Sequence, residues 1–191
     1  MPAELSRFRA LRQVLPGHPP QVEEIPGFSP AAVAVVCVPD PDAILLIRRA
    51  VRPGDPWSGQ MALPGGRKGV DDPDLLETAV RETSEEVGLD LGRGHLVGVL
   101  DDLTPRTALL PRIMVRPYVF LLESRPPLRP NHEVAAVHWV DLAAFLAPGV
   151  YSEWDVQALE RSARFPGYRL AEGTVWGMTE RILTPLLTAL R

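Results

Sequence analysis

Residues 63–89 read LPGGRKGVDDPDLLETAVRETSEEVGL, and the rest of the chain is organised around them. A Pro-Gly-Gly turn at 64–66 leads into a short polar loop, and a helix signal follows. Asp72 stands as its N-cap, Pro73 at the first helical position and Gly88 at the stop. At about 100° per residue, Leu76, Ala79, Val80, Thr83 and Val87 fall on one stripe that should face a core. Glu82, Glu85 and Glu86 share an adjoining arc of roughly 100°, with Arg81 beside it.

Carboxylates at helical spacing repel, each surface pair costing about 0.2–0.5 kcal/mol and more where the site is desolvated. A divalent cation turns that repulsion into binding energy. Carboxylate oxygens with no Cys or His cluster suit Mg²⁺ or Mn²⁺ better than zinc. A solvated acidic helix face is the plain alternative. Against it stand the arginine inside the cluster and the glycines upstream, which let backbone groups approach a ligand closely.

The stretch resembles the Nudix box, the signature of Nudix hydrolases. Gly66 opens it, and Arg81, Glu82, Glu85, Glu86, Gly88 and Leu89 close it in the family's order. The loop is one residue longer than the commonest form. Pro73 stands where the first glutamate of the box aligns, and Asp72 and Asp71 are the candidates to replace that acid. Thr83 takes the place of an aliphatic residue. The resemblance implies an α+β fold, an α/β/α sandwich with a mixed sheet, and the box as a loop–helix–loop at one end. It also implies that Glu82, Glu85 and Glu86 hold the divalent ions, that Arg81 orients a box glutamate, and that a carbonyl of Gly65 or Gly66 completes the shell. The general base is either a box glutamate or an acid from another loop, for which Glu133 in NHEV is the candidate. An ordinary carboxylate at a strand start is the alternative reading of Glu133.

Composition narrows the remaining classes. At 191 residues and 46% hydrophobic content, the chain reads as one domain over 1–191. Residues 1–25 would be an N-terminal helix and connector, and 150–191 a C-terminal aromatic segment and helix. A net charge of −4 without long charge runs argues against a nucleic-acid arm or a membrane patch. Cys37 is the one cysteine, so no internal disulfide forms, and its apolar run makes it a core residue. No leader or spanning segment is apparent, so a cytoplasmic protein is expected. The expected partner is a small nucleotide diphosphate, and a homodimer is compatible with the sequence.

Taken in order, residues 3–15 read as an amphipathic helix, and 31–38 and 43–48 as a strand hairpin turned by Pro-Asp-Pro-Asp. A short strand at 60–63 enters the glycine turn. Further strands are expected at 95–103, 112–123 and 133–140, a short helix at 141–146, irregular aromatic chain over 151–170, and a last helix at 175–190 burying Trp176. Arg48, Arg49 and Arg52 end the second strand, either as a cationic patch for phosphates or as a solvated edge. Trp57 either stacks on a base or caps the core.

Specificity has its own signal. LLIRRAVRPGDPWSGQMALPGG resembles the upstream motif of the coenzyme A pyrophosphatase branch through Leu45, Leu46, Arg49, Ala50, Gly59 and Pro64-Gly65-Gly66. Ile47 and Leu63 depart from it, and Arg52 lies near the second arginine without matching its register. That resemblance implies a coenzyme A substrate bound through Arg49, Arg52, Trp57 and Gly66. The alternatives are a pyrophosphatase for nucleoside triphosphates or ADP-ribose, a Nudix-fold ligand sensor without catalysis, and a partner-binding protein using Trp154, Phe165, Tyr168 and Trp176.

Overall fold

The computed structural model describes residues 6–15, 19–22, 24–92, 95–158 and 161–190. Its elements are α1 (Arg7–Val14), β1 (Ser29–Val38), β2 (Ala43–Arg49), β3 (Met61–Ala62), β4 (Gly65–Arg67), α2 (Leu75–Val87), β5 (Leu96–Val99), β6 (Ile113–Leu121), β7 (Val134–Asp141), α3 (Leu142–Leu146), β8 (Tyr151–Ala158), β9 (Arg161–Leu170), β10 (Gly173–Trp176) and α4 (Gly177–Ala189).

The apolar run of β1 is continuous because both of its faces are covered. Val35 and Cys37 face one core with Phe8 and Leu11 of α1, Phe145 of α3, and Ile182, Leu183 and Leu186 of α4. Ala32, Ala34, Val36 and Val38 face the other, with Leu75, Ala79 and Val87 of α2. Side chains alternate along a strand, so one strand serves two cores and the layers stack as helix, sheet, helix. β1 runs parallel to β6 from Ser29↔Ile113 to Cys37↔Leu121, while its partner β2 is antiparallel. The sheet is therefore mixed and the fold α+β, as expected. Cys37 is fully buried, and burial pushes its thiol far above the ordinary range, as befits a packing residue.

One irregularity of the sheet positions the box. β1 and β2 pair only beside their turn, at Cys37↔Ile44 and Val38↔Ala43. They then splay, and β3 and β4 fill the gap. β3 pairs with β2 through Ile47↔Ala62, and β4 with β1 through Ala32↔Gly66 and Val33↔Gly65. Pro64, between them, accepts from the Ala34 amide at 2.8 Å. The two glycines are thereby built into the sheet directly beneath α2.

The N-cap of α2 is Asp74, not Asp72: its side chain accepts from the Glu77 amide at 2.8 Å, and Pro73 lies outside the helix. Gly88 does end the helix, with φ 68°. Residues 151–158 and 161–170 are an antiparallel pair, not irregular chain, and β10 adds a third strand; the expectation for 159–160 lies outside the described residues. Pro166 and Gly167 interrupt the strand pattern in the sequence. The close approach of Val175, whose carbonyl would lie 2.6 Å from a Cβ at Gly167, explains the glycine. Aromatic contacts hold this sheet, Tyr151 on Tyr168 at 4.8 Å and Phe165 on Trp176 at 5.2 Å. Trp176 is the N-cap of α4 and is only half-buried, rather than part of the helix stripe. The strand expected over 95–103 shortens to Leu96–Val99. Helix α1 begins at Arg7, and the part of the expectation falling on residues 3–5 lies outside the described residues. No helix among the described residues is long and apolar enough to cross a membrane.

Candidate active site

Arg81 is the hub of the box. Its Nε donates to Asp72 Oδ1 at 2.9 Å and its Nη2 to Asp72 Oδ2 at 3.0 Å, a bidentate pair. It also reaches Glu82 Oε1 at 2.8 Å, Glu85 Oε2 at 3.1 Å and the Arg67 carbonyl at 3.3 Å. Asp72 is buried and takes two further bonds, from the Gly69 amide at 2.7 Å and Thr78 Oγ1 at 2.9 Å. The extra loop residue thus lets an aspartate reach the arginine from one position before the proline. Of the two candidates Asp71 and Asp72, the geometry selects Asp72. The Arg81 guanidinium holds the Asp72 carboxyl far below the usual carboxylate range, and the Gly69 and Thr78 bonds add to this.

The stability consequence has a definite sign. With its folded value depressed, Asp72 contributes stability that is present above its unfolded pKa of about 3.9 and lost as pH falls below it. Asp72→Ala is expected to cost about 2–3 kcal/mol at pH 7, because it removes the bidentate partner of Arg81 and the acceptor of the Gly69 amide, while the Thr78 hydroxyl keeps the Asp74 carbonyl. It should also flatten the acid limb of stability. Urea midpoints measured between pH 7 and pH 3 check both effects.

Glu86 departs most from its expected setting. Helical spacing puts it on an acidic arc beside the apolar stripe, yet it is 2% exposed and belongs to the buried stripe of α2, with Leu76 and Val80 only half-buried. Its Oε2 accepts from the Gly65 amide at 2.9 Å. Burial pushes its carboxyl up to about 7; the Gly65 bond and the charge of Arg49 oppose this, and the charges of Glu82 and Glu133 reinforce it. Glu82 is raised as well, again mainly by burial and against the pull of Arg81. Its carboxylate fills the space over Gly66, where a Cβ would lie 2.4 Å from Glu82 Cδ. Glu85 is exposed.

A second wall faces α2. The Arg129 amide donates to the Val87 carbonyl at 2.8 Å, and the Asn131 amide to the Glu86 carbonyl at 2.9 Å, which ties the loop before β7 to the end of the helix. The next contact pins Glu133, whose carbonyl accepts from the Ala50 amide at 2.8 Å. Its carboxylate then takes Arg52 Nη1 at 2.9 Å. Arg49 pairs with Asp55 at 2.9 Å, and Asp55 also accepts from the Trp57 amide at 3.0 Å. Arg49, Arg52 and Glu133 are therefore brought to the box carboxylates. Arg48 is not, since it points to the Glu172 carbonyl beyond β2. Trp57, like Met178, packs against the small cluster of Ala31, Ile113 and Val115, which is the core-capping alternative. Asp55 was missed by the sequence reading, since its only signal was a Gly-Asp-Pro turn.

The donors available to an ion here are hard oxygens, and Glu86 is a buried carboxylate with one amide and a distant arginine for company, so the chemistry fits Mg²⁺ or Mn²⁺. The carboxylates do not stand as a closed cage, however. Among the described residues no three acidic, histidine or cysteine side chains converge on one point. Arg81 occupies Glu82 and Glu85, and Gly65 occupies an oxygen of Glu86.

Fold and site together define a helix–sheet–helix sandwich with glycines and carboxylates gathered at one helix. The NUDIX domain profile matches residues 28–161, and the chain belongs to that family. An uncharacterised Nudix hydrolase, NudL of Salmonella paratyphi B, is 33% identical over 95% of this chain and 90% of its own length. The uncharacterised protein C14C4.10c of Schizosaccharomyces pombe is 40% identical over 62% of this chain, which spans only 37% of that protein. Among solved structures, a MutT/nudix family protein of Enterococcus faecalis covers 95% of the chain with a TM-score of 0.59 at 18% identity, the match taking in 67% of that protein. A bifunctional NMN adenylyltransferase/ADP-ribose pyrophosphatase of Francisella tularensis, solved with AMP and a manganese ion, covers 71% of the chain and 38% of its own with a TM-score of 0.51 at 22% identity. These two structures support the fold. The family and its relatives make the chain a hydrolase, and enzymes of this family use divalent metal ions.

Proposed function

We propose that the chain is a Mg²⁺- or Mn²⁺-dependent hydrolase of the diphosphate linkage in a nucleotide derivative, with coenzyme A as the substrate class. The observation that carries the reading is the buried Glu86 carboxylate, raised to about 7 and set against Glu82 and Glu133 beside the Gly65 amide. Negative groups are assembled there at a cost that a bound cation removes. The Francisella enzyme's AMP and manganese ion accord with a nucleotide and a divalent ion. The upstream likeness around Arg49, Ala50 and Gly59 supports the coenzyme A branch.

In this reading Glu82, Glu85, Glu86 and a carbonyl of Gly65 hold the ions. When bound, they supply charge neutralisation at the phosphate oxygens and activate water. Arg81, itself anchored by Asp72, sets the rotamers of Glu82 and Glu85. Arg49, Arg52 and the Gly66 backbone meet the substrate phosphates, and Trp57 closes the loop beside them. Glu133 takes the proton of the attacking water as the new oxygen–phosphorus bond forms and the bridging one breaks; the departing phosphate oxygen carries the electron pair away. Positioning and charge do most of the work in such a transfer.

The test is a panel of coenzyme A, ADP-ribose, dinucleoside polyphosphates and nucleoside triphosphates, each with Mg²⁺ and with Mn²⁺. Highest kcat/KM on coenzyme A is expected. Preference for another member would remove the coenzyme A assignment. No turnover on any member would leave the ligand sensor as the better reading.

A further inference from the structure

We infer that Arg52 is the positioning residue for Glu133, holding its carboxylate in the seat that a substrate phosphate oxygen later takes. The inference rests on the hydrolase reading but not on coenzyme A as the substrate.

Three features of the geometry lead there. First, the backbone of Glu133 is anchored by contacts that do not involve its carboxylate. Its carbonyl is held by the Ala50 amide at 2.8 Å and its amide by Asn131 Oδ1 at 2.8 Å, and Asn131 in turn is bonded to the Glu86 carbonyl. The carboxylate itself is held by Arg52, with the exposed His132 Nε2 at 3.9 Å from the same oxygen, so displacing Arg52 lets it turn about an anchored Cα. Second, its partner is a half-exposed arginine: the Arg52 and Glu133 side chains are 39% and 37% exposed, so the 2.9 Å pair is open to a competing anion. Exposed pairs of this kind are weak, and a diphosphate with two oxygens for one guanidinium outcompetes a single carboxylate oxygen. Third, Glu133 already lies within the field of Glu82 and Glu86. Once released from Arg52, it has only to turn to face the box carboxylates and the phosphorus between them.

The neighbouring pair shows what a permanent tie looks like. Arg49 and Asp55 are closer in sequence, less exposed, and Asp55 is held a second time by the Trp57 amide. Arg49 therefore keeps its partner, and its buried Nε has no acceptor among the described residues, so it can add a bond to an incoming phosphate without giving one up. Arg52 must exchange one anion for another. That exchange couples arrival of the phosphate to release of the base, and it keeps Glu133 occupied while the site is empty.

The experiment is a double-mutant cycle on the whole chain. Binding of methylenediphosphonate, a diphosphate that cannot be hydrolysed, is measured by calorimetry in Mg²⁺ for wild type, Glu133→Gln, Arg52→Gln and the double variant. Arg52→Gln is expected to weaken binding about tenfold, and Glu133→Gln to tighten it about fivefold by removing the internal competitor. In the Arg52→Gln background the tightening should shrink to less than about twofold, because the competition acts through Arg52. Equal tightening in both backgrounds would mean a general charge effect and would overturn the proposal, as would weaker or unchanged binding in Glu133→Gln.

Turnover gives the second readout. Arg52→Gln should raise KM more than it lowers kcat, whereas Glu133→Gln should act mainly on kcat. Arg52→Lys, which keeps the charge but not the fork, should restore part of the affinity. A merely structural pair would instead give parallel losses of thermal midpoint and affinity in both single variants, which also counts against the proposal. Because the ligand is a bare diphosphonate, the cycle can be read whichever nucleotide the panel selects, so failure of one reading is distinguishable from failure of the other.

Discussion

Glu86→Gln is expected to lower turnover by about 10²- to 10³-fold and, at the same time, to make the metal-free protein more stable at pH 8. The two effects have one cause. Glu86 is buried with a single amide bond, and its folded-state pKa of about 7 lies above the unfolded value of about 4.3. A group raised in this way contributes stability that is complete below the unfolded value and is lost as pH rises through the folded one. At pH 8 the ionised carboxylate therefore costs on the order of 3–4 kcal/mol in the absence of metal. Glutamine removes the charge and keeps an oxygen for the Gly65 amide. It adds an NH₂ group that needs a partner, so a net gain of about 1–2 kcal/mol is expected. Urea midpoints in EDTA at pH 5.5 and pH 8 measure it: the gain should be largest at the higher pH. Added Mg²⁺ should raise the wild-type midpoint and leave the variant nearly unmoved. A variant that loses stability at pH 8 in EDTA would show that Glu86 is well accommodated as an anion, and the argument for a cation beside it would fail.

Gly65→Ala carries the second large effect, through the backbone. Gly65 has φ 150°, a region that side chains other than hydrogen rarely enter, and a Cβ there would lie 2.3 Å from the Ala32 carbonyl oxygen and 2.6 Å from Val33 Cα. Both obstacles are main chain of β1, so β4 has to leave its partner. Strain and lost pairing together are expected to cost at least about 3 kcal/mol and to abolish activity, since the Gly65 amide also holds Glu86. Gly66→Ala makes the contrast. The nearest atoms to a Cβ there are those of the Glu82 carboxylate, the end of a side chain that can swing away. It should therefore lose turnover with a stability loss of about 1 kcal/mol or less. Denaturant midpoints and kcat for the two variants separate the roles; comparable stability losses would mean that Gly66 is as tightly built into the sheet as its neighbour.

The candidate site was legible in the sequence wherever residue types at short spacing fix which side chains lie together. Glu82, Glu85, Glu86 and Arg81 lie within two turns of one helix, and helical geometry alone puts them side by side. Gly65 and Gly66 follow from the same local reasoning, as does the two-faced core, because an unbroken apolar run such as 31–38 needs cover on both sides. Harder to see was anything set by a partner far along the chain. Asp72 looked like a helix cap because caps are local; what claims it is an arginine nine residues on, meeting it across a folded loop. Residues 151–170 looked irregular because Pro166 and Gly167 break the strand pattern, and only the pairing of β9 with strands on both sides explains them.

By itself, then, the order of residues determined the box helix, its acids and its stop, the glycines before it and the strands that bury both faces. Tertiary structure alone decided three things: that Glu86 lies inside rather than on the surface, that β1 and β2 part to admit the glycines, and that Glu133 reaches the box through Ala50 and Asn131. The physical reason is the same for each. Local geometry assigns directions to side chains, but burial and charge depend on what the rest of the chain brings against them, and no spacing rule within one segment contains that information.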